Sequence, residues 1–266
     1  MIYNEIKLED KTVFTINHYI WLFICITLIS SFTYYLIKTK PSLKKVLNVC
    51  CVVCVASELI KTFSSIKMIP SADGTMIFPY IEMKHMPFHL CSIQIILIFL
   101  ARFSSNEKLK TNLLAFMYPT TILGAFLALI MPSIFSTTIS INQAFTHPIA
   151  YQFFLYHTML VILGIYIYTS HEIQLEVKHY FSTLIILLVV SFISIYLNSM
   201  FASPVYVNGV LQSVEFTTNF FVTYQTPINI ALTEIWHWYL YIGIVVVLGI
   251  VLIGLMYLPV FKKKRI

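Results

Sequence analysis

Seven apolar stretches of about bilayer length divide this chain of 266 residues, with approximate limits 18–37, 45–66, 87–103, 111–133, 148–169, 180–201 and 235–260. A helix crossing a membrane needs about 20 mostly apolar residues. Inside a bilayer no water is available for backbone N–H and C=O groups, so each such stretch must bond within itself as a helix. Only 11% of the residues are charged and 59% are hydrophobic, against about 25% charged in ordinary soluble domains. The expected fold class is therefore an all-α membrane protein, a seven-transmembrane helix bundle. Residues 1–17 read as an extracytoplasmic segment without a signal-peptide pattern, 18–260 as the bundle, and 261–266 as a basic cytoplasmic tail.

The connections carry an orientation signal. Lys38, Lys40, Lys44, Lys45, Arg102, Lys108, Lys110, Lys178, Lys262, Lys263, Lys264 and Arg265, 12 of the 17 cations, fall on one side of the seven-span alternation. The excess of Lys and Arg in cytoplasmic loops then places the amino terminus outside a cell membrane and the carboxyl terminus in the cytoplasm. This clustering at span ends also explains the net charge of +6 without a nucleic-acid partner; membrane lipids are the expected partners. The oligomeric state is not encoded in the pattern. Two long outer loops, near 67–86 and 202–234, are candidates for lids. The stretch Phe216-Thr217-Thr218-Asn219-Phe220-Phe221-Val222 is too apolar for a free linker and is expected to lie on or dip into the outer interface.

Polar groups within spans are expensive and point to function. They gather at mid-depth or outward: Glu58 with Lys61 one turn on, His89 and Cys91 opening the third span, His157 in the fifth, Asn198 ending the sixth and His237 opening the seventh. The run His85-Met86-Pro87-Phe88-His89-Leu90-Cys91-Ser92-Ile93-Gln94 is the densest. With Pro87 at the first helical position, Cys91 sits about one turn inside the helix, where the dipole favours a thiolate. Gln94 shares its face and could donate to an oxyanion. His89, two residues before Cys91, points elsewhere, which leaves His157 as the better base. Counting residues from each helix start at 1.5 Å apiece sets Cys91 and His157 apart in depth by roughly 8 Å. Cys25, Cys50, Cys51 and Cys54 read as packing residues, and Glu58–Lys61 can be read equally as a buried structural pair. Trp21, Trp236 and Trp238 read as interface anchors. His85 and His89, with His147 and His237, could hold zinc, but Pro87 separates the first two and no carboxylate joins them, so no metal and no cofactor is expected.

Several motifs occur in an order that resembles a known family. His89-Leu90-Cys91 after a proline resembles the opening of the third span in the YwaF-like integral membrane proteins of Gram-positive bacteria and mycoplasmas. Gln152-Phe153-Phe154-Leu155-Tyr156-His157, then Asn198, then Thr218-Asn219-Phe220-Phe221, then Trp236-His237-Trp238-Tyr239, are similar to later segments of that family. Two departures stand out: Phe220-Phe221 replaces a Tyr-Met pair, and the segment between Asn198 and Thr218 is longer. The resemblance extends distantly to eukaryotic transmembrane lipid acyltransferases. It implies Cys91 as nucleophile and His157 as base.

The resulting expectation is a cysteine-dependent lipid acyltransferase or acyl hydrolase acting from the outer side on a lipidic or lipid-linked substrate. Cys91 and His157 would be catalytic; His89, Gln94, Glu58, Gln152, Asn198 and Asn219 would bind substrate, stabilise the oxyanion or support the site. The alternative is a seven-span carrier or receptor for a small or lipidic ligand, with Glu58, His157 and Asn198 lining the site and Cys91 as packing.

Overall fold

The structure, a computed structural model, describes residues 14–71, 73–86, 88–132, 134–137, 139–207, 209–224 and 233–263. The helices are α1 (Ile16–Thr39), α2 (Leu43–Ser65), α3 (Leu90–Phe103), α4 (Glu107–Ile130), a single turn α5 (Ile134–Thr137), α6 (Pro148–Thr169), α7 (Val177–Met200) and α8 (Ile235–Lys263). Every apolar stretch becomes a helix. Among the described residues six of them are long and apolar enough to cross a membrane, while α3, at 14 residues, is shorter than a span requires. The proline expected to open α3, Pro87, lies outside the described residues, as do 1–13, 225–232 and 264–266 of the segment, loop and tail expected at those positions. The helix itself starts later, with His89 as its N-cap in extended conformation.

The helices are apolar on their outer faces as well as inside. Phe23, Ile26, Val52, Phe63, Phe192 and Val247 are each more than half exposed, the distribution expected where lipid replaces water around the bundle. α4 and α6 are the most deeply buried spans and pack without a gap at Gly164. A Cβ there would run into the Thr121 and Ile122 side chains and meet the Tyr118 carbonyl at 3.0 Å. Trp21 is not an interface anchor: it is buried, stacked on Phe154 and Phe145, and its indole N–H donates to the Ala144 carbonyl at 2.8 Å.

Contacts between helix ends order the bundle. At one end the Leu43 N–H donates to Glu172, the Tyr166 hydroxyl to the Pro41 carbonyl, and Arg102 to Asn48. The lysine-rich turn after α1, the end of α3 and the α6–α7 connection therefore share that end. The start of α1 meets the far end of α4, through His18 and the Leu129 carbonyl at 2.9 Å. The end of α8 meets the near end of α4, through the Tyr257 hydroxyl and the Ala115 carbonyl at 2.9 Å. The chain thus enters and leaves at opposite ends, because α3 reverses its direction despite its length.

The long loops are folded. β1 (Lys67–Pro70) pairs with β2 (Ile77–Tyr80), and β3 (Ser203–Val207) with β4 (Val210–Glu215), both antiparallel. Gly209, at φ +78, turns the second hairpin.

Candidate functional site

α3 starts inside the bundle, and this determines where Cys91 lies. Leu90 packs against Gly124 in the second half of α4, and the Tyr156 hydroxyl donates to the Cys91 carbonyl at 2.7 Å. Tyr156 is the residue before His157. The first turn of α3 therefore lies within reach of a side chain from the middle of α6. Cys91 is partly buried, with the Ser92 hydroxyl and amide N–H within hydrogen-bonding reach of its sulfur. Cys91, Ile95 and Phe99 follow one another at four-residue spacing along one stripe of α3. Ile95 and Phe99 line an apolar groove between α2 and α3, whose α2 wall is Cys54, Val55, Glu58, Leu59, Thr62 and Phe63.

His157 is 4% exposed. Its Nδ1 lies 2.6 Å from the Phe153 carbonyl, an atom that can only accept, so Nδ1 carries the proton and Nε2 the lone pair. Nε2 has no partner. Gln94 is 0% exposed; its amide nitrogen donates to the Thr120 hydroxyl at 3.0 Å, and its Oε1 has no partner. A buried polar atom without a partner costs about 1–3 kcal/mol, so this region holds two costly acceptors. His89 lies close enough to His157 for their charges to interact, and its ring meets Phe220 edge-on at 5.0 Å.

The other expected site residues separate into distinct structures. Glu58 and Lys61 form an ion pair of 2.7 Å at the groove. The Gln152 amide nitrogen donates to the buried Ser57 hydroxyl at 2.7 Å, tying α6 to α2. Asn198 is far from idle. Its Nδ2 donates to the Phe220 carbonyl at 3.1 Å and the Thr223 hydroxyl at 2.9 Å, and its Oδ1 accepts from the Thr218 hydroxyl and the Phe220 N–H, both at 2.9 Å. All four of its bonding positions are spent on the outer loop. Asn219 accepts from the Tyr224 N–H at 3.0 Å and so shapes that loop from within. The loop carries Phe221 and Val222 at φ +55, a region costly for non-glycine residues and worst for β-branched ones. Trp238 and Tyr241 hold it there by donating to the Thr223 and Val222 carbonyls at 2.8 and 2.5 Å. The result is a fully buried Phe220 plugged against Phe88 and His89, while Phe216, Thr217 and Val222 of the same stretch stay exposed.

Nearer the outer end, Glu82 is bonded by Lys67 and Lys84, which hold its carboxyl down at about 2. His85 beside it is shifted down by burial and by Lys84. Among the described residues no three His, Cys, Asp or Glu side chains converge to hold a metal.

Sequence reasoning missed Tyr156, Thr120 and Phe220. It also missed His18, a fully buried histidine whose Nε2 bonds the Leu129 carbonyl and whose Nδ1 has no partner. An aromatic or hydroxyl residue in an apolar run carries no signal that distinguishes it from packing.

Fold and site together define a multi-pass membrane protein with a polar cluster walled by α3, α4 and α6 and plugged by the loop between α7 and α8. The chain belongs to the TMEM164 family, whose model matches residues 13–257. No curated protein and no solved structure matches it.

Proposed function

We propose that this protein is a membrane-embedded thiol enzyme that transfers or hydrolyses lipid acyl groups, with Cys91 as nucleophile and His157 as base. The observation that carries the reading is the His157 ring. Its protonated nitrogen is fixed on the Phe153 carbonyl and its basic Nε2 is buried without a partner, while the neighbouring Tyr156 grips the turn that bears Cys91. A base oriented through its other nitrogen, with its lone pair free, is the arrangement nucleophilic catalysis requires. The YwaF-like order of motifs and its distant likeness to lipid acyltransferases support the same assignment.

In the first step Nε2 takes the thiol proton and the sulfur attacks the ester carbonyl carbon of a lipid. The carbon–sulfur bond forms, the carbon–oxygen bond breaks, and the leaving alkoxide takes the proton from His157. In the second, a lipid hydroxyl or water gives its proton to Nε2 and attacks the thioester; the sulfur leaves and is reprotonated. The backbone N–H groups opening α3 and the Ser92 hydroxyl are the nearest donors for the oxyanion, since the Gln94 amide is engaged with Thr120. The groove between α2 and α3 would take the acyl chain. The opposite ends at which the chain enters and leaves favour counting α3 as a seventh pass, and the lysine-rich end favours an outward-facing site with the amino terminus outside.

A lipid-like thioester or activated-ester probe should label Cys91 in the purified protein. Cys91→Ser should abolish labelling and His157→Gln should slow it about 100-fold or more. Labelling that persists at an unchanged rate in either variant overturns the mechanism and returns the cluster to ligand carriage.

A further inference from the structure

We propose that Gln94 is a specificity-determining residue that accepts a hydrogen bond from a second donor on the substrate, a hydroxyl or N–H beside the group that reacts. The argument is an inventory of protons. Thr120 gives its hydroxyl hydrogen to the Phe116 carbonyl at 2.7 Å, so toward Gln94 it can only accept. That fixes which end of the amide faces it: nitrogen toward Thr120, oxygen away.

Several neighbouring donors are committed. Thr121 bonds the Met117 carbonyl at 2.7 Å, Tyr156 the Cys91 carbonyl, Gln152 the Ser57 hydroxyl, and His157 the Phe153 carbonyl. Among the described residues, His157 Nε2 and Gln94 Oε1 are buried acceptors without a partner. Gln94 lies three residues after Cys91, on the same face of α3.

The inference rests on the acyl-transfer reading for what happens to the first donor. In each half of that reaction a single proton, from the thiol and then from the incoming hydroxyl, goes to Nε2. A hydroxyl carries one hydrogen and cannot serve Gln94 as well. Oε1 therefore receives a different group. The substrate class this selects is an amphiphile with two neighbouring donors, such as a vicinal diol or an amide beside an alcohol.

The test compares equilibrium binding of dodecane-1,2-diol and 1-dodecanol to the full chain in detergent. Wild type and Cys91→Ala should both favour the diol about tenfold, the worth of one neutral hydrogen bond at a dry site. Gln94→Leu should bring the ratio to about one. Thr120→Val, which leaves α3 intact and only unpins the amide, should lower it to about threefold, and it decides the matter if Gln94→Leu does not fold. Equal binding of the two probes by wild type, or a preference that survives in Gln94→Leu, overturns the inference. Failure of wild type to form a thioester would instead overturn the acyl-transfer reading, and the binding ratio would still report on Gln94.

Discussion

Asn198 and Gln94 are both buried amides in apolar helices, and they are used in opposite ways. Asn198 has all four bonding positions filled by its own chain and holds a loop with two residues in left-handed conformation. Gln94 has its nitrogen pinned on Thr120 and, among the described residues, its oxygen bare. A completed network stabilises a fold; an incomplete one holds capacity for something that arrives later. The difference sorts a list of polar residues that sequence position alone treats alike.

The contrast can be broken by mutation. Asn198→Ala should have the largest effect, because it strands the Thr218 hydroxyl and the Phe220 N–H at once. A loss of about 3 kcal/mol or more, read as a lower unfolding midpoint in detergent, is expected, and an unchanged midpoint would remove the clamp. Tyr156→Phe, which deletes one bond to the Cys91 carbonyl, should cost about 1 kcal/mol and slow Cys91 labelling more than that loss of stability accounts for. Gln94→Leu should leave stability unchanged or raise it slightly, since it removes an unpaired acceptor; a loss as large as that of Asn198→Ala would mean Gln94 is structural. The smallest effect concerns Glu82, outside both networks. Its carboxyl is depressed from 4.5 to about 2, so its contribution to holding the β1–β2 hairpin is present above about pH 4.5 and is lost as pH falls through about 2. Protection factors in β1 and β2, corrected for the intrinsic pH dependence of amide exchange, should stay flat from pH 7 to 4.5 and fall below; as an exposed pair it is worth under about 1 kcal/mol. Loosening already at pH 6 would contradict it.

The bundle was largely legible because apolar length translates directly into helices, and all seven stretches begin and end within about four residues of the expected limits. The third was shortened because hydropathy does not reveal that His89 is an N-cap held inside by Phe220. The hairpins were not legible from the aromatic content of the loops, although Asn208-Gly209 between Val207 and Val210 is a strong two-residue turn signal. Cys91, Gln94 and His157 stood out as polar groups in apolar runs, but so did Asn198. Its partners Thr218 and Thr223 lie 20 and 25 residues away, and nothing local tells a saturated amide from an unsaturated one.

The brevity of α3 also acts on the lipid around it. Fourteen residues rise about 21 Å in a hydrocarbon slab about 30 Å thick. In a bilayer the remaining depth would fall to the loop side, where His89 and the Phe220 plug sit with backbone polar groups that lipid tails cannot solvate. Lipids beside α2 and α3 would then tilt, or the leaflet dimple inward, to keep that rim wet. Such a pinch would lower lipid headgroups toward the mouth of the groove without drawing any molecule out of the membrane.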